Sequence, residues 1–324
     1  MKKFRVAVVL AAAAAAFVVS GTKAPAVRSF EATYVGTVAA LPATARKVDV
    51  WIPLPSDGPY QTIADVKVQA PAPFTLERDS AGNRLAHLVL DRPDQFGKDV
   101  EVRATYRVTR REAVGPAPGG AKAGDPPDAA ELLKPNRLVP LTPRVKDLAR
   151  TLAAGKTDTV SKARSFYDYL VDNGTYDKTA PGWGKGDSER FCDVRKGNCT
   201  DFHSAFMALA RAEGIPVRFS IGFPLKPEKE GSVPGYHCWA EFWAPGRGWV
   251  PVDASDAAKT KEPVKKAYLF GNLDADRFDI TTGRDLTLSP PQKDGPLNFF
   301  IYPYVEVDGK TFAETKIRLE YRDL

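Results

Sequence analysis

Apolar and polar residues alternate with a period of two in five short runs: Phe30 to Thr37, Lys47 to Ile52, Ala64 to Gln69, Arg84 to Leu90 and Val100 to Val108. Breaks containing proline or glycine separate them. Val48, Val50 and Ile52 alternate with Asp49 and Trp51, the pattern of a strand with one buried face. Such a row of strands predicts a small β-sandwich over residues 27–114, with His87 as an ordinary strand residue. Residues 115–127, GPAPGGAKAGDPP, hold four prolines and four glycines and predict a linker, taken to extend to residue 135.

The period then lengthens. A helix is predicted from Pro143 to Ala154, with proline in its first turn. A second starts near Asp158 and runs to about Asn173, with Val160, Ala163, Tyr167, Leu170 and Val171 on one face and Gly174 as its stop. Residues 174–198 read as irregular. A third helix is predicted from about Cys199 to just before Gly214, with Phe202, Phe206, Leu209 and Ala210 apolar. Strands follow at Ile215 to Phe223, Tyr236 to Trp243 and Trp249 to Val252, with a charged, Pro-rich loop at 224–235. Phe299 to Val307 and Thr311 to Tyr321 flank Asp308-Gly309, which predicts a C-terminal hairpin over residues 291–324, packed on the core.

At the start of the chain, Lys2, Lys3 and Arg5 precede an apolar stretch from Val6 to Val19. That stretch is shorter than the roughly 20 residues of a membrane span, and Ala24-Pro25-Ala26 offers small residues for cleavage. Residues 1–26 are therefore expected to be a secretory signal peptide. The protein is expected to be exported, periplasmic or secreted, with no stable membrane span after signal removal. The formal charge of +6 falls to +2 once Lys2, Lys3, Arg5 and Lys23 are removed. No basic stripe interleaved with aromatics appears, so nucleic acid is not an expected partner. With 43% hydrophobic and 27% charged residues, the rest has a globular composition.

Three cysteines are present, Cys192, Cys199 and Cys238, and an odd count in an oxidising compartment leaves one thiol over. Cys199 follows Gly197-Asn198 at a predicted helix start, where free backbone N–H groups and the helix dipole favour a thiolate. The same N–H groups suit the oxyanion of a tetrahedral intermediate. His237 begins a predicted strand after the loop and is the favoured base. Asp253 ends the next predicted strand, where a hairpin would bring it beside His237 to orient the ring. His203, one helical turn after Cys199, is a rival base but is read as a packing or hydrogen-bonding residue. Asp201 is read as a helix-dipole partner and Asp256 as a second choice of orienting carboxylate. Cys238 is expected on the strand face opposite His237, away from the cleft. There it can pair with Cys192 and leave Cys199 free; the alternative is two buried thiols.

The segments Arg195-Lys-Gly-Asn-Cys-Thr-Asp-Phe-His, Arg211-Ala-Glu-Gly-Ile-Pro-Val-Arg, Tyr236-His-Cys-Trp-Ala-Glu-Phe and Gly248-Trp-Val-Pro-Val-Asp together resemble the transglutaminase-like superfamily. The resemblance covers roughly residues 136–290. It implies an α+β fold: a papain-like, transglutaminase-like core with an antiparallel sheet and a helix-borne Cys, here preceded by the small β-sandwich. It carries Cys199 over as nucleophile, His237 as base and Asp253 as orienter. For the family's transition-state tryptophan, Trp183 is the candidate. The calcium-activated members have acidic loops that this chain lacks, so no metal and no cofactor is expected. The resemblance implies acyl chemistry through a thioester on peptide or protein amides, with the cell envelope as one source of substrate. Hydrolysis by a peptidase or amidase is favoured over amine transfer by a transglutaminase. The alternative is a non-catalytic envelope module that keeps the fold for binding or assembly.

Overall fold

The alternating runs become strands whose partners are mostly distant in sequence. The computed structural model describes residues 24–115, 126 and 128–324. The expected signal peptide therefore lies outside the described residues for its first 23 positions, as does most of the Pro/Gly linker. The β-rich beginning consists of β1 (Val27–Val38), β2 (Val48–Leu54), β3 (Gln61–Gln69), β4 (Phe74–Arg78), β5 (Arg84–Leu90), β6 (Val100–Arg111) and the short β7 (Ala113–Val114). The middle holds α1 (Ala129–Leu132), α2 (Pro143–Ala153), α3 (Thr159–Asn173), β8 (Thr175–Tyr176), α4 (Ser188–Val194), β9 (Lys196–Gly197) and α5 (Cys199–Ala212). Then come β10 (Val217–Pro224), β11 (Glu230–Val233), β12 (His237–Ala244), β13 (Gly248–Val252), α6 (Ala254–Lys259), α7 (Pro263–Tyr268), β14 (Asn272–Leu273) and β15 (Arg277–Thr282). The chain closes with β16 (Tyr304–Val307), β17 (Lys310–Thr311) and β18 (Thr315–Asp323).

Two five-stranded antiparallel sheets form the β-rich region, ordered β11-β18-β1-β6-β3 and β17-β16-β2-β5-β4. Phe30, Val38, Val50, Ile52, Leu88 and Val102 from both sheets are buried in one shared cluster. The expected C-terminal hairpin is corrected here. Asp308-Gly309 does turn β16 into β17, but the chain then crosses to the other sheet. There β18 pairs with β1 from Phe30↔Asp323 to Val38↔Thr315, while β16 pairs with β2. The physical reason is the demand of unpaired strand edges: β1 and β2 each need a second neighbour, and the C-terminal strands supply it. The loop expected at 224–235 likewise contains β11, which extends β18. The expected alternation of β2 also fails at one position. Trp51 is buried against Leu85, Leu286, Leu288 and Phe300, so β2 is covered on both faces.

The second unit is built around α5. Every residue from Cys199 to Arg211 is buried, so this helix is enclosed rather than amphipathic. It is flanked by α2, α3, α4 and α6 and lies against β12 and β10 of a four-stranded antiparallel sheet ordered β13-β12-β10-β15. Gly222 allows β10 to approach β15, since a Cβ there would sit 1.9 Å from the Phe278 carbonyl oxygen. The expected irregular stretch 174–198 contains α4, capped by Asp187, whose side chain accepts from Arg190 N. Among the described residues, no helix is long and apolar enough to cross a membrane.

The two units meet through β15. Phe278 lies edge-on to Phe30 and Tyr106, with ring centroids 5.7 and 6.1 Å apart. The Gln61 side-chain amide pairs with the Asp279 backbone at 3.0 and 2.9 Å. Asp279 itself is half-buried, but its Oδ1 is shielded and has no hydrogen-bond partner. Burial pushes its carboxyl up to about 7; the nearby Glu241 charge adds to this and Arg110 opposes it.

Candidate active site

Asn198 starts the site. Its side-chain oxygen accepts from Thr200 N at 3.0 Å and from Asp201 N at 3.4 Å, and Asp201 Oδ2 accepts from Asn198 N at 2.9 Å. This reciprocal capping box fixes where α5 begins and makes Cys199 its first residue. Asp201 also accepts from Gly184 N at 2.7 Å and Gly186 N at 3.0 Å, which ties the loop carrying Trp183 to the same helix turn. Trp183 is 40% exposed on that loop. Asp201 is thus a cap and loop anchor, and burial raises its pKa even against these hydrogen bonds.

His237 opens β12, and its Nε2 lies 2.6 Å from Asp253 Oδ2. The Cys199 side chain is among the groups that raise the pKa of this ring. Because Nε2 is engaged by the carboxylate, Nδ1 is the nitrogen left for sulfur. Asp253 is fully buried and caps α6, with Oδ1 accepting from Ser255 Oγ at 3.0 Å and Asp256 N at 2.9 Å. The structure therefore brings Cys199, His237 and Asp253 together, drawn from α5, β12 and the β13–α6 junction.

The charges follow from this arrangement. Burial works against a charged His237, but the Asp253 and Asp256 carboxylates outweigh it and raise the ring to about 10. Burial likewise opposes a Cys199 thiolate. Hydrogen bonds from Cys238 and His237, with the positive charge on His237, outweigh it and hold this thiol well below its ordinary value. Asp253, despite burial, is held well below the carboxylate range by His237 and Arg277. These shifts favour a thiolate at Cys199 beside a protonated His237.

His203 is fully buried, and its Nδ1 lies 2.8 Å from the Cys199 carbonyl oxygen, to which it donates. Burial lowers its pKa. Its Nδ1 thus faces the helix backbone, while its Nε2 lies 3.7 Å from Asp253 Oδ1.

The expected Cys192–Cys238 disulfide is absent: all three cysteines are free thiols. Cys192 lies beside Leu170, Gly174 and Phe191, between α3 and α4. Cys238 lies instead on the β12 face covered by α5, 3.8 Å from Thr200 Oγ1 and from His203 Nδ1. The expectation that Cys238 points away from the cleft is therefore also corrected. Burial and the neighbouring Cys199 push the Cys238 thiol well up.

Sequence reasoning missed Arg277 altogether. It comes from β15, a strand with no clear signal, and is 7% exposed. Its Nη2 lies 3.1 Å from Asp253 Oδ2 and 2.5 Å from Asp256 Oδ2. Asp256 Oδ2 is 3.7 Å from His237 Nε2, and its other oxygen pairs with Lys259. His237, Asp253 and Asp256 set their ligand atoms within 4.8 Å of one another, but the two carboxylates already face Arg277 and Lys259. Aromatic hydroxyls were missed as well. Tyr236 OH meets Asn198 Nδ2 at 3.3 Å and Thr200 Oγ1 at 3.2 Å, and Tyr302 packs edge-on against the Tyr236 ring.

Residues 146–254 match the family model of the transglutaminase-like superfamily. The chain is 30% identical over 318 residues to an uncharacterized protein of Haemophilus influenzae, with 85% of each chain covered. It is also 30% identical over 128 residues to the uncharacterized protein YebA of Bacillus subtilis, across 35% of this chain and 17% of that one. Its fold is similar to the crystal structure of a candidate cysteine protease from Cytophaga hutchinsonii, with a TM-score of 0.57 and 16% identity, covering 91% of this chain and 98% of that one. That last likeness is one of fold alone. With a relative matched along most of its length and a helix-borne cysteine beside an antiparallel sheet, this chain belongs to the transglutaminase-like superfamily.

Proposed function

We propose that the protein is an exported thiol enzyme that attacks amide bonds of peptides or proteins through Cys199, with His237 as acid–base and Asp253 as orienter. The observation that carries this reading is the pairing of a helix-start thiol with an imidazole whose far nitrogen is 2.6 Å from a buried carboxylate. The Cys199 thiolate adds to the substrate carbonyl carbon. The oxyanion that forms faces the first N–H groups of α5, with Trp183 as the neighbouring donor. His237 gives its proton to the leaving amine, the C–N bond breaks, and an acyl thioester remains on Cys199. The neutral ring then takes a proton from water, the resulting hydroxide attacks the thioester, and collapse releases the acid and restores the thiolate.

Hydrolysis is favoured over amine transfer because water reaches any open cleft, whereas an amine needs a pocket of its own. Export rests on the charged and apolar leader. The test is to profile the purified protein on peptide and amine libraries, with Cys199→Ala as control. New peptide termini or released ammonia, lost in the control, are expected. Incorporation of labelled amine instead would select transfer. A full screen with no product that depends on Cys199 would overturn the enzyme reading.

A further inference from the structure

Two carboxylates lie beside His237, and one orienting carboxylate is all that a Cys–His pair needs. Buried unpaired anions are costly, and neighbouring carboxylates tend to share a proton. A shared proton would leave Asp253 a poor partner for an imidazolium. Arg277 meets both carboxylates through one nitrogen, Nη2, from a strand that carries no other part of the site. We propose that Arg277 is the positioning residue of this site: its guanidinium clamps Asp253 to Asp256 and aims Asp253 Oδ2 at His237. This rests on the reading of Cys199 as nucleophile.

The charge count supports the assignment. His237, Arg277 and Lys259 are positive; Asp253, Asp256 and the Cys199 thiolate are negative, so the set is neutral in the ion-pair state. Without Arg277 it carries an extra negative charge, and the thiolate is the group disfavoured. Among the described residues, the other ionisable groups around this set include Asp274 before β15, Arg110 from β6, His203 from α5, Cys238 from β12, and the hydroxyls of Tyr167, Tyr176, Tyr236, Tyr268 and Tyr302. Asp274 and Arg110 are of opposite sign and do not alter the balance.

The test compares wild type, Arg277→Gln and Arg277→Lys. Ultraviolet absorbance of the Cys199 thiolate is followed against pH, with kcat and KM on the substrate found by profiling and a circular dichroism check of folding. In Arg277→Gln the thiolate titration is expected to move up by at least about one pH unit, a tenfold loss of thiolate below its midpoint. kcat should fall by about tenfold or more with KM nearly unchanged, as for an interaction felt in the transition state. Arg277→Lys keeps the charge but carries it on a flexible stem without the fixed planar guanidinium, so it should restore the titration and recover only part of kcat. A folded Arg277→Gln protein with wild-type titration and kcat overturns the proposal. If that variant does not fold, Arg277→Lys is read alone, and an unchanged kcat overturns it. A wild-type Cys199 that titrates near the ordinary value of about 8.5 overturns the nucleophile reading itself and the clamp with it.

Discussion

Replacing His237 with alanine removes the imidazolium that holds the Cys199 thiolate. Burial raises this thiol and only Cys238 and His203 then oppose it, so the variant should titrate close to an ordinary cysteine. An ordinary thiol of pKa about 8.5 is only about 0.3% ionised at pH 6, a deficit of roughly 300-fold relative to a full thiolate. The more basic sulfur is intrinsically more nucleophilic, with a Brønsted slope of about 0.4–0.5, which offsets part of the loss. A net fall of about 10- to 100-fold at pH 6 remains. The assay is the rate of iodoacetamide alkylation of the Cys199 peptide, read by mass spectrometry, and it needs no substrate. In the wild type the rate should be nearly flat from about pH 6 to pH 9, because His237 keeps its proton up to about 10. In His237→Ala it should climb about tenfold per pH unit. A folded His237→Ala protein with the flat profile, or a wild type that climbs like a free thiol, refutes the ion-pair argument.

Two further outcomes are expected. Asp279 has a folded pKa of about 7, above its unfolded value, so the stability it contributes is full below about pH 4 and is lost as pH rises through about 7. Asp279→Asn should flatten the pH dependence and be the more stable protein at pH 8, by about 2–4 kcal/mol in urea unfolding; equal urea midpoints at pH 8 would discredit the shift. Alkylation of the unfolded, unreduced protein should add three adducts, since Cys192, Cys199 and Cys238 are all free thiols. A mass showing one adduct would mean that a disulfide forms after all.

The central helices and strands were readable because their signals are local. Proline at 143, an Asp158 cap and glycines at 174 and 214 bound α2, α3 and α5 close to where periodicity puts them. Cys199, His237 and Asp253 were legible because each follows a marker of its element: a cap, a loop end, a strand end. What escaped depends on partners far along the chain. Nothing in Thr315–Asp323 says that its neighbour is Val27–Val38, and nothing around Arg277 says that it will reach two carboxylates on α6 and its cap. Cys238 was misplaced because strict alternation was applied to the first residues of a strand. There Cys238 faces α5, against Thr200 and His203.

The pairing of β18 with β1 joins residues almost three hundred positions apart and sets that strand inside its sheet, between β1 and β11. As the polypeptide leaves the ribosome, β1 and β2 must therefore wait with an open side until nearly all of the remainder has been made. Such a topology has a high contact order, so assembly should be slow and all-or-none. A nascent chain of this kind stays threadable for longer, and it would lean on holding chaperones to keep that open ladder from recruiting strangers.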